Sequence, residues 1–251
     1  MIDKNAHRDP DGVSCSVVIP CKNERGTVLE AVMRTPTMGR HTELVFVLGG
    51  STDGTEDAVR SAMNGCPDRD IKMVLQPGVG KGDAVRAGFA AATGDVLIIL
   101  DGDLTVSPEE LPRFFDAVVS GQADLAVGCR LSVPMEQGAM RFLNIWGNRL
   151  FAWVVGRLIG QPLGDALCGT KALWAKDYRM ASETLWLGRE DPFGDFDLLF
   201  NAAKFHQKII QLPVRYGSRV YGSTHIRRFW HGWKLFCLCW SAFRRLRLAR
   251  Q

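Results

Sequence analysis

The sequence predicts an α/β fold with a mostly parallel central sheet flanked by helices. The segments SCSVVIP (14–20), LVFVL (44–48) and VLIIL (96–100) are short and almost wholly apolar, as strands buried on both faces are. Stretches with helical apolar spacing lie between them. Polar and glycine-rich motifs come directly after the strands, where ligands bind in open parallel sheets.

In chain order, the first strand (14–20) is followed by a predicted helix over 24–33, with Val28, Leu29, Val32 and Met33 at helical spacing. The second strand (44–48) is closed by GGSTDGT, and a helix over about 56–63 follows. A third strand at 71–75 leads into the glycine-rich 78–82 and a helix over 84–92. The fourth, 96–100, runs straight into Asp101-Gly102-Asp103. After Pro108 come a helix over 109–120 and a strand at 125–128. Regularity then weakens through a long aromatic-rich stretch, 140–159. A helix at 196–205, a strand at 209–214, a glycine-containing loop at 219–226 and a terminal amphipathic helix complete the prediction. With no internal repeat and no low-complexity linker, one domain over 1–251 is expected.

Composition bounds the function. At 46% hydrophobic and 23% charged residues, the 251-residue chain has the make-up of an ordinary globular protein, not of a disordered or fibrous one. The net charge of +4 is concentrated by Arg244, Arg245, Arg247 and Arg250 near one end. No nucleic-acid recognition motif accompanies that charge, so nucleic acid is not an expected partner. Seven cysteines lack the paired spacing of zinc sites or disulfide frameworks and read as reduced thiols. The polar opening MIDKNAHRDPDG lacks the apolar core of a secretory signal, and no window is apolar enough to span a bilayer. A cytoplasmic location is expected.

Asp101 and Asp103 put two carboxylates at the end of a buried strand. Two anions so close repel, and a hard divalent cation, Mg²⁺ or Mn²⁺, relieves the repulsion with oxygen ligands while a nucleotide diphosphate fills its remaining positions. Asn23 and Glu24 follow the first strand, Asp53 the second and Lys81 the third, so the polar loops converge on one edge. Asp53 also has the position of a helix cap. The stretch 78–82 is not a triphosphate loop, because Gly82 stands where serine or threonine is needed, and it follows the third strand rather than the first, which rules out a dinucleotide fingerprint.

With these motifs in order, the chain resembles family-2 glycosyltransferases of the GT-A fold, and more nearly their polyprenyl-phosphate (dolichol-phosphate) mannosyltransferase-like branch. The resemblance runs from roughly 17 to 232. VVIPCKNE (17–24) is similar to the family's opening strand and donor loop, GSTDGT (50–55) to its second loop, Lys81-Gly82 with Ala87-Gly88 to its third, and Asp101-Gly102-Asp103 to its metal motif. It implies donor contacts from Pro20, Asn23, Glu24, Asp53, Lys81, Asp101, Gly102 and Asp103, with the metal on Asp101 and Asp103. Further on, Gly128-Cys129-Arg130, the run Asp165 to Lys171 and the run Arg219 to His225 resemble the acceptor-side motifs. That implies acceptor or phosphate contacts from Arg130, Asp165, Lys171, Arg219, Thr224 and His225. Where the family's second loop opens with aspartates, this chain has Gly49 and Gly50. Asp195 aligns with the aspartate that accepts the acceptor's proton in inverting relatives, with Asp191 and Asp197 as rivals and helix capping as the alternative for all three.

The implied organisation is a nucleotide-sugar-binding half (14–130), an acceptor half (131–226) and a basic aromatic helix (227–251). In that last segment, Trp230, Trp233, Trp240 and neighbouring phenylalanines alternate with basic residues. Such a helix suits a membrane interface, and packing on the domain or on a second subunit is the alternative. The expected activity is inverting transfer of a sugar from a nucleotide diphosphate to a polyprenyl phosphate or other membrane-associated lipid. A soluble hydroxyl acceptor and a non-catalytic nucleotide-sugar-binding protein are the rivals, and a sugar-phosphate nucleotidyltransferase is disfavoured, because Cys21-Lys22-Asn23-Glu24 replaces its glycine-rich loop.

Overall fold

The computed structural model describes residues 9–132, 142–182, 194–219, 221 and 236–244. Its centre is a seven-stranded sheet of β1 (Ser14–Cys21), β2 (His41–Leu48), β3 (Asp70–Leu75), β4 (Val96–Ile99), β5 (Leu125–Cys129), β6 (Lys171–Trp174) and β7 (Ile209–Pro213), in the order β3-β2-β1-β4-β6-β5-β7. β1 pairs in parallel with β2 and β4, β2 with β3, and β5 with β7. β6 runs antiparallel to both β4 and β5.

Alternation along the strands splits the core in two. Val17 and Ile19 of β1 face one cluster with Leu44 and Phe46 of β2 and Ile98 of β4. Val18, Val45, Val47, Leu97 and Ile99 face the other. Both faces are apolar because both are covered. The first is covered by α1 (Val28–Arg34), α2 (Thr55–Gly65) and α4 (Leu111–Val119); the second by α3 (Lys81–Ala91), α5 (Phe142–Ile159), α6 (Ala175–Ser182), α7 (Asp195–Lys204) and helical residues 236–244.

Several predicted boundaries shift. α1 begins only at Val28, because 24–27 form a turn in which Thr27 N donates to Glu24 O at 3.0 Å. Its buried positions are Val28, Ala31 and Val32, while Leu29 and Met33 are exposed. α3 starts earlier than expected, which makes Lys81 its first residue. The aromatic-rich 140–159 stretch contains an 18-residue helix, α5, and β6 and α6 were not foreseen at all. β6 is only four residues long and fully buried, and it earns its place by pairing on both sides rather than by its own pattern. The cysteines are free, with Cys237 exposed and Cys239 buried as their two-residue spacing requires.

Helix α3 lies close enough to the sheet that a Cβ on Gly88 would strike Val18 Cγ1 and sit 2.9 Å from Val47 Cγ2. Alanine at a helical glycine gains about 0.5–1 kcal/mol from propensity, and forcing a methyl into a packed core costs about 1–3 kcal/mol. The clash should win. Gly88→Ala is expected to lower stability by about 1–2 kcal/mol in urea unfolding; an unchanged or higher midpoint would show that the helix can lift without cost.

Candidate active site

The strand order reverses between β1 and β4, which places a crevice at their carboxyl ends. Gly102 fits there because a Cβ would lie 2.7 Å from Pro20 O and 3.1 Å from Cys21 Sγ. Thr27 Oγ1 donates to Gly102 O at 2.6 Å and ties the β4 loop to the β1 loop. On either side of this glycine, Asp101 faces Lys81, with Nζ to Oδ1 at 2.5 Å, and Asp103 faces Arg219, with Nη2 to Oδ2 at 2.6 Å. Arg219 also reaches Glu24 Oε1 at 3.1 Å through Nη1. Its approach is set by the backbone: Tyr216 bridges to Val106, and Gly217 N donates to Thr105 O at 2.9 Å. Thr105 in turn donates to Asp103 Oδ1 through N and Oγ1, at 3.2 and 2.8 Å.

The charges act on one another. Burial pushes the Asp101 carboxyl up, but Lys81, with Lys171 and Arg130 farther off, outweighs it and leaves the group below the ordinary carboxylate range. Glu24 goes the other way. Burial, reinforced by Asp103, Asp53 and Asp101 and opposed by Arg219, raises it to about 7.

The other residues expected on the donor side tie the loops together. Thr52 N donates to Asn23 Oδ1 at 2.8 Å, Asn23 N to Ser51 Oγ at 3.0 Å, and Glu24 N to Thr55 Oγ1 at 3.0 Å. Asn23 takes φ +57°, a left-handed geometry that asparagine tolerates. Asp53 accepts from Thr55 N at 3.0 Å in a turn just ahead of α2, but the residue that caps this helix is Gly54, at φ +86° and with no side-chain cap, so the capping alternative is not met. Asp53 also accepts from Arg25 N at 3.1 Å and from the Tyr221 hydroxyl at 3.2 Å.

The residues expected on the acceptor side, Arg130, Asp165 and Lys171, have partners within the protein. Arg130 closes its fork on Asp165, Nε to Oδ2 at 2.7 Å and Nη2 to Oδ1 at 2.9 Å, with Tyr216's ring 5.1 Å from Cζ. Asp165 is fully buried and accepts also from Asn148 Nδ2 at 2.7 Å. Burial raises its pKa, but Arg130 and these donors pull it below the ordinary value. Lys171 is fully buried in β6, its ammonium donating to Cys168 O. Lys171 and Arg130 lower the Asp101 carboxyl through their charge, and Arg219 pairs directly with Asp103.

The candidate bases separate. Gly194, at φ +71°, packs so tightly that a Cβ would lie 2.9 Å from Gly82 Cα, so the start of α7, with Asp195 as its first residue, abuts the start of α3. Asp197 is buried and lies 3.9 Å from Arg86 Nη1, an environment of the helix interior. Asp191, Thr224 and His225 lie outside the described residues. Sequence reasoning passed over Asn148 and Gly169. A Cβ on Gly169 would collide with Lys81 Nζ and the Asp101 carboxylate, so this glycine forms the wall against which that ion pair sits. Its place in the quoted 165–171 motif was the available signal.

Whether a divalent cation suits the site can be judged from its donors. Among the described residues no cluster of three or more metal-ligating side chains occurs. Two carboxylates suit Mg²⁺ or Mn²⁺, which take few protein ligands and complete their shell with phosphate and water. Glu24 Oε2 is buried with no hydrogen-bond partner, an orphaned oxygen that a cation or a water in its shell would satisfy. The residues fit such an ion.

The model of the family described as "Glycosyl transferase family 2" matches residues 16–177, more than half of the 251. The chain belongs to glycosyl transferase family 2. It is 29% identical over 213 residues to the undecaprenyl-phosphate 4-deoxy-4-formamido-L-arabinose transferase of Edwardsiella ictaluri, covering 83% of this chain and 62% of the relative. The Klebsiella pneumoniae protein of the same name is 28% identical, at 83% and 61%. The chain thus spans about three-fifths of the length of these curated relatives. Its fold is that of glucosyl-3-phosphoglycerate synthase from Mycobacterium tuberculosis. The complex with Mn²⁺, UDP and glucosyl-3-phosphoglycerate aligns at TM-score 0.67 and 19% identity over 94% of this chain and 80% of that one. The complex with Mn²⁺, UDP-glucose and glycerol 3-phosphate aligns at 0.64 and 20%, with the same coverage.

Two expectations follow from this geometry. Gly169→Ala should displace Lys81 from Asp101, weaken nucleotide binding at least about tenfold through loss of a charge-assisted contact, and lower Tm, because the Asp101 carboxylate loses its cation; binding and Tm equal to the parent would mean that the wall yields freely. Glu24 is raised in the folded state, so its contribution to stability is present below about 4.5 and is lost as pH rises through about 7. In the metal-free protein, unfolding free energy relative to Glu24→Gln should therefore fall by about 1–3 kcal/mol between these pH values; a flat difference would refute it.

Proposed function

We propose that this chain transfers a sugar from a uridine-diphosphate sugar to a polyprenyl phosphate, with Mg²⁺ or Mn²⁺ held by Asp101 and Asp103. The observation that carries the reading is the interleaving of two carboxylates and two cations, Lys81 and Arg219, at the β1–β4 crevice. The UDP complexes of the fold neighbours support the donor, and the names of the undecaprenyl-phosphate transferases support the acceptor.

When bound, the cation supplies positive charge to the departing diphosphate. Lys81 stands at the first position of α3, where the helix amides and its own ammonium both favour a phosphate. Arg219 presents a planar fork that matches phosphate oxygens. Asn23, Asp53 and Thr55 keep the first and second loops in one arrangement, which lowers the entropy cost of positioning the donor. A phosphate acceptor is already an anion and attacks without a base. We read the chain as one domain, with a donor half over 14–130, an acceptor half over 131–226 and segment 227–251 at a membrane surface on the cytoplasmic face. No helix of the described residues is long and apolar enough to cross a membrane.

The glycerol 3-phosphate in a neighbour's complex favours one second reading, a small soluble hydroxyl acceptor. In that case Asp195 is the base, and Asp195→Asn should cost rate while leaving donor affinity intact.

The test is calorimetry with UDP-glucose and GDP-mannose, with Mn²⁺ and then with EDTA, followed by transfer assays on undecaprenyl phosphate. UDP-sugar binding that EDTA abolishes is expected. Asp103→Ala should lower transfer on the order of 100-fold, with the fold retained. Metal-independent binding, or full turnover in that variant, would sink the assignment.

A further inference from the structure

Helix α5 is apolar on two opposite faces. Asn148, Ala152, Val155 and Ile159 recur at i, i+4, i+7 and i+11 and are buried. Trp146, Leu150, Trp153 and Arg157 repeat the same spacing on the outside, with Leu150 61% and Trp153 59% exposed. Residues 236–244 behave alike: Leu238, Cys239 and Ala242 enter the core cluster that holds Ala152, Val155 and Ile159, while Phe236 and Trp240 are exposed. An aqueous surface does not call for such a face, and contiguous exposed apolar area of this kind marks an interaction site.

Charge selects the occupant. Neither 142–159 nor 236–244 contains an aspartate or glutamate, and Arg149, Arg157 and Arg244 are exposed. The Arg157 guanidinium lies 5.4 Å from the Trp153 ring centroid, a cation beside an amphipathic ring. A second copy docked face to face would set arginines against arginines with no carboxylate in either helix to answer them. An anionic bilayer answers both features, because tryptophan prefers the headgroup level and arginine meets lipid phosphate.

We propose that the outward face of α5, together with the exposed aromatics of 236–244, docks on an anionic phospholipid bilayer. The proposal deepens the lipid-phosphate reading of the acceptor side and rests on it for the purpose of docking. The link is physical: Asn148, on the inward stripe of α5, donates to Asp165 Oδ1 at 2.7 Å, and Asp165 holds Arg130. The helix that meets the lipid is thereby tied through one buried hydrogen bond to the acceptor-side residues.

The experiment is co-sedimentation of the full chain with vesicles of phosphatidylglycerol and phosphatidylcholine, and with phosphatidylcholine alone. The parent should bind the anionic vesicles, less so as salt is added, and bind phosphatidylcholine more weakly. The double variant Leu150→Glu, Trp153→Glu should lose about tenfold or more of the partitioning, and Arg157→Glu alone a smaller part. Circular dichroism and Tm should be unchanged in both, since these side chains face outward. A parent that stays in the supernatant with anionic vesicles overturns the proposal, as does a double variant that binds like the parent. A double variant that converts a dimer to a monomer without changing vesicle binding also overturns it, in favour of self-association. If vesicle binding behaves as expected but no nucleotide binds, the docking face stands and the transferase reading fails.

Discussion

Negative charge gathered at one crevice is the constraint around which the rest is organised. Asp101, Asp103 and Glu24 converge where β1 and β4 diverge, and unneutralised carboxylates so close would oppose folding. Lys81 and Arg219 supply the counter-charge from distant parts of the chain, one at the start of α3 and the other beyond β7. Each cation is also a group that a diphosphate would attract.

The sheet makes that meeting possible. With both faces covered by helices, its strands form a packed frame that presents the loops at their carboxyl ends. Cross-loop hydrogen bonds among Asn23, Ser51, Thr52 and Thr55 then remove most of the loops' freedom. On the acceptor side the same logic uses a stronger device, a buried Arg130–Asp165 fork anchored by Asn148. A buried ion pair of this sort is costly to break, because either partner left alone is an uncompensated charge. It fixes the geometry of β5, α5 and the 165–171 segment relative to one another.

The first half of the chain was legible because its strands are continuous apolar runs and its motifs follow them directly; β1 to β5 fall within a few residues of their expected places. β6 and α6 were not, since a four-residue buried strand carries no periodicity of its own. α5 escaped for the opposite reason: apolar on both faces, it lacks the one-sided stripe by which a surface helix is known. The partners of Arg130 and Lys171 were not legible, because sequence records charge and not the carboxylate or carbonyl that each side chain meets.

The sequence alone determined the α/β class, the strand-end motifs and family membership, because these depend on local pattern and on residues near in the chain. Tertiary structure decided which charges pair. Asp101 with Lys81 and Asp103 with Arg219 are contacts across 20 and 116 positions, and Gly169 forms the wall of the first pair only because β6 lies beside β4. Local propensity carries no information about such encounters; they are set by how the layers pack.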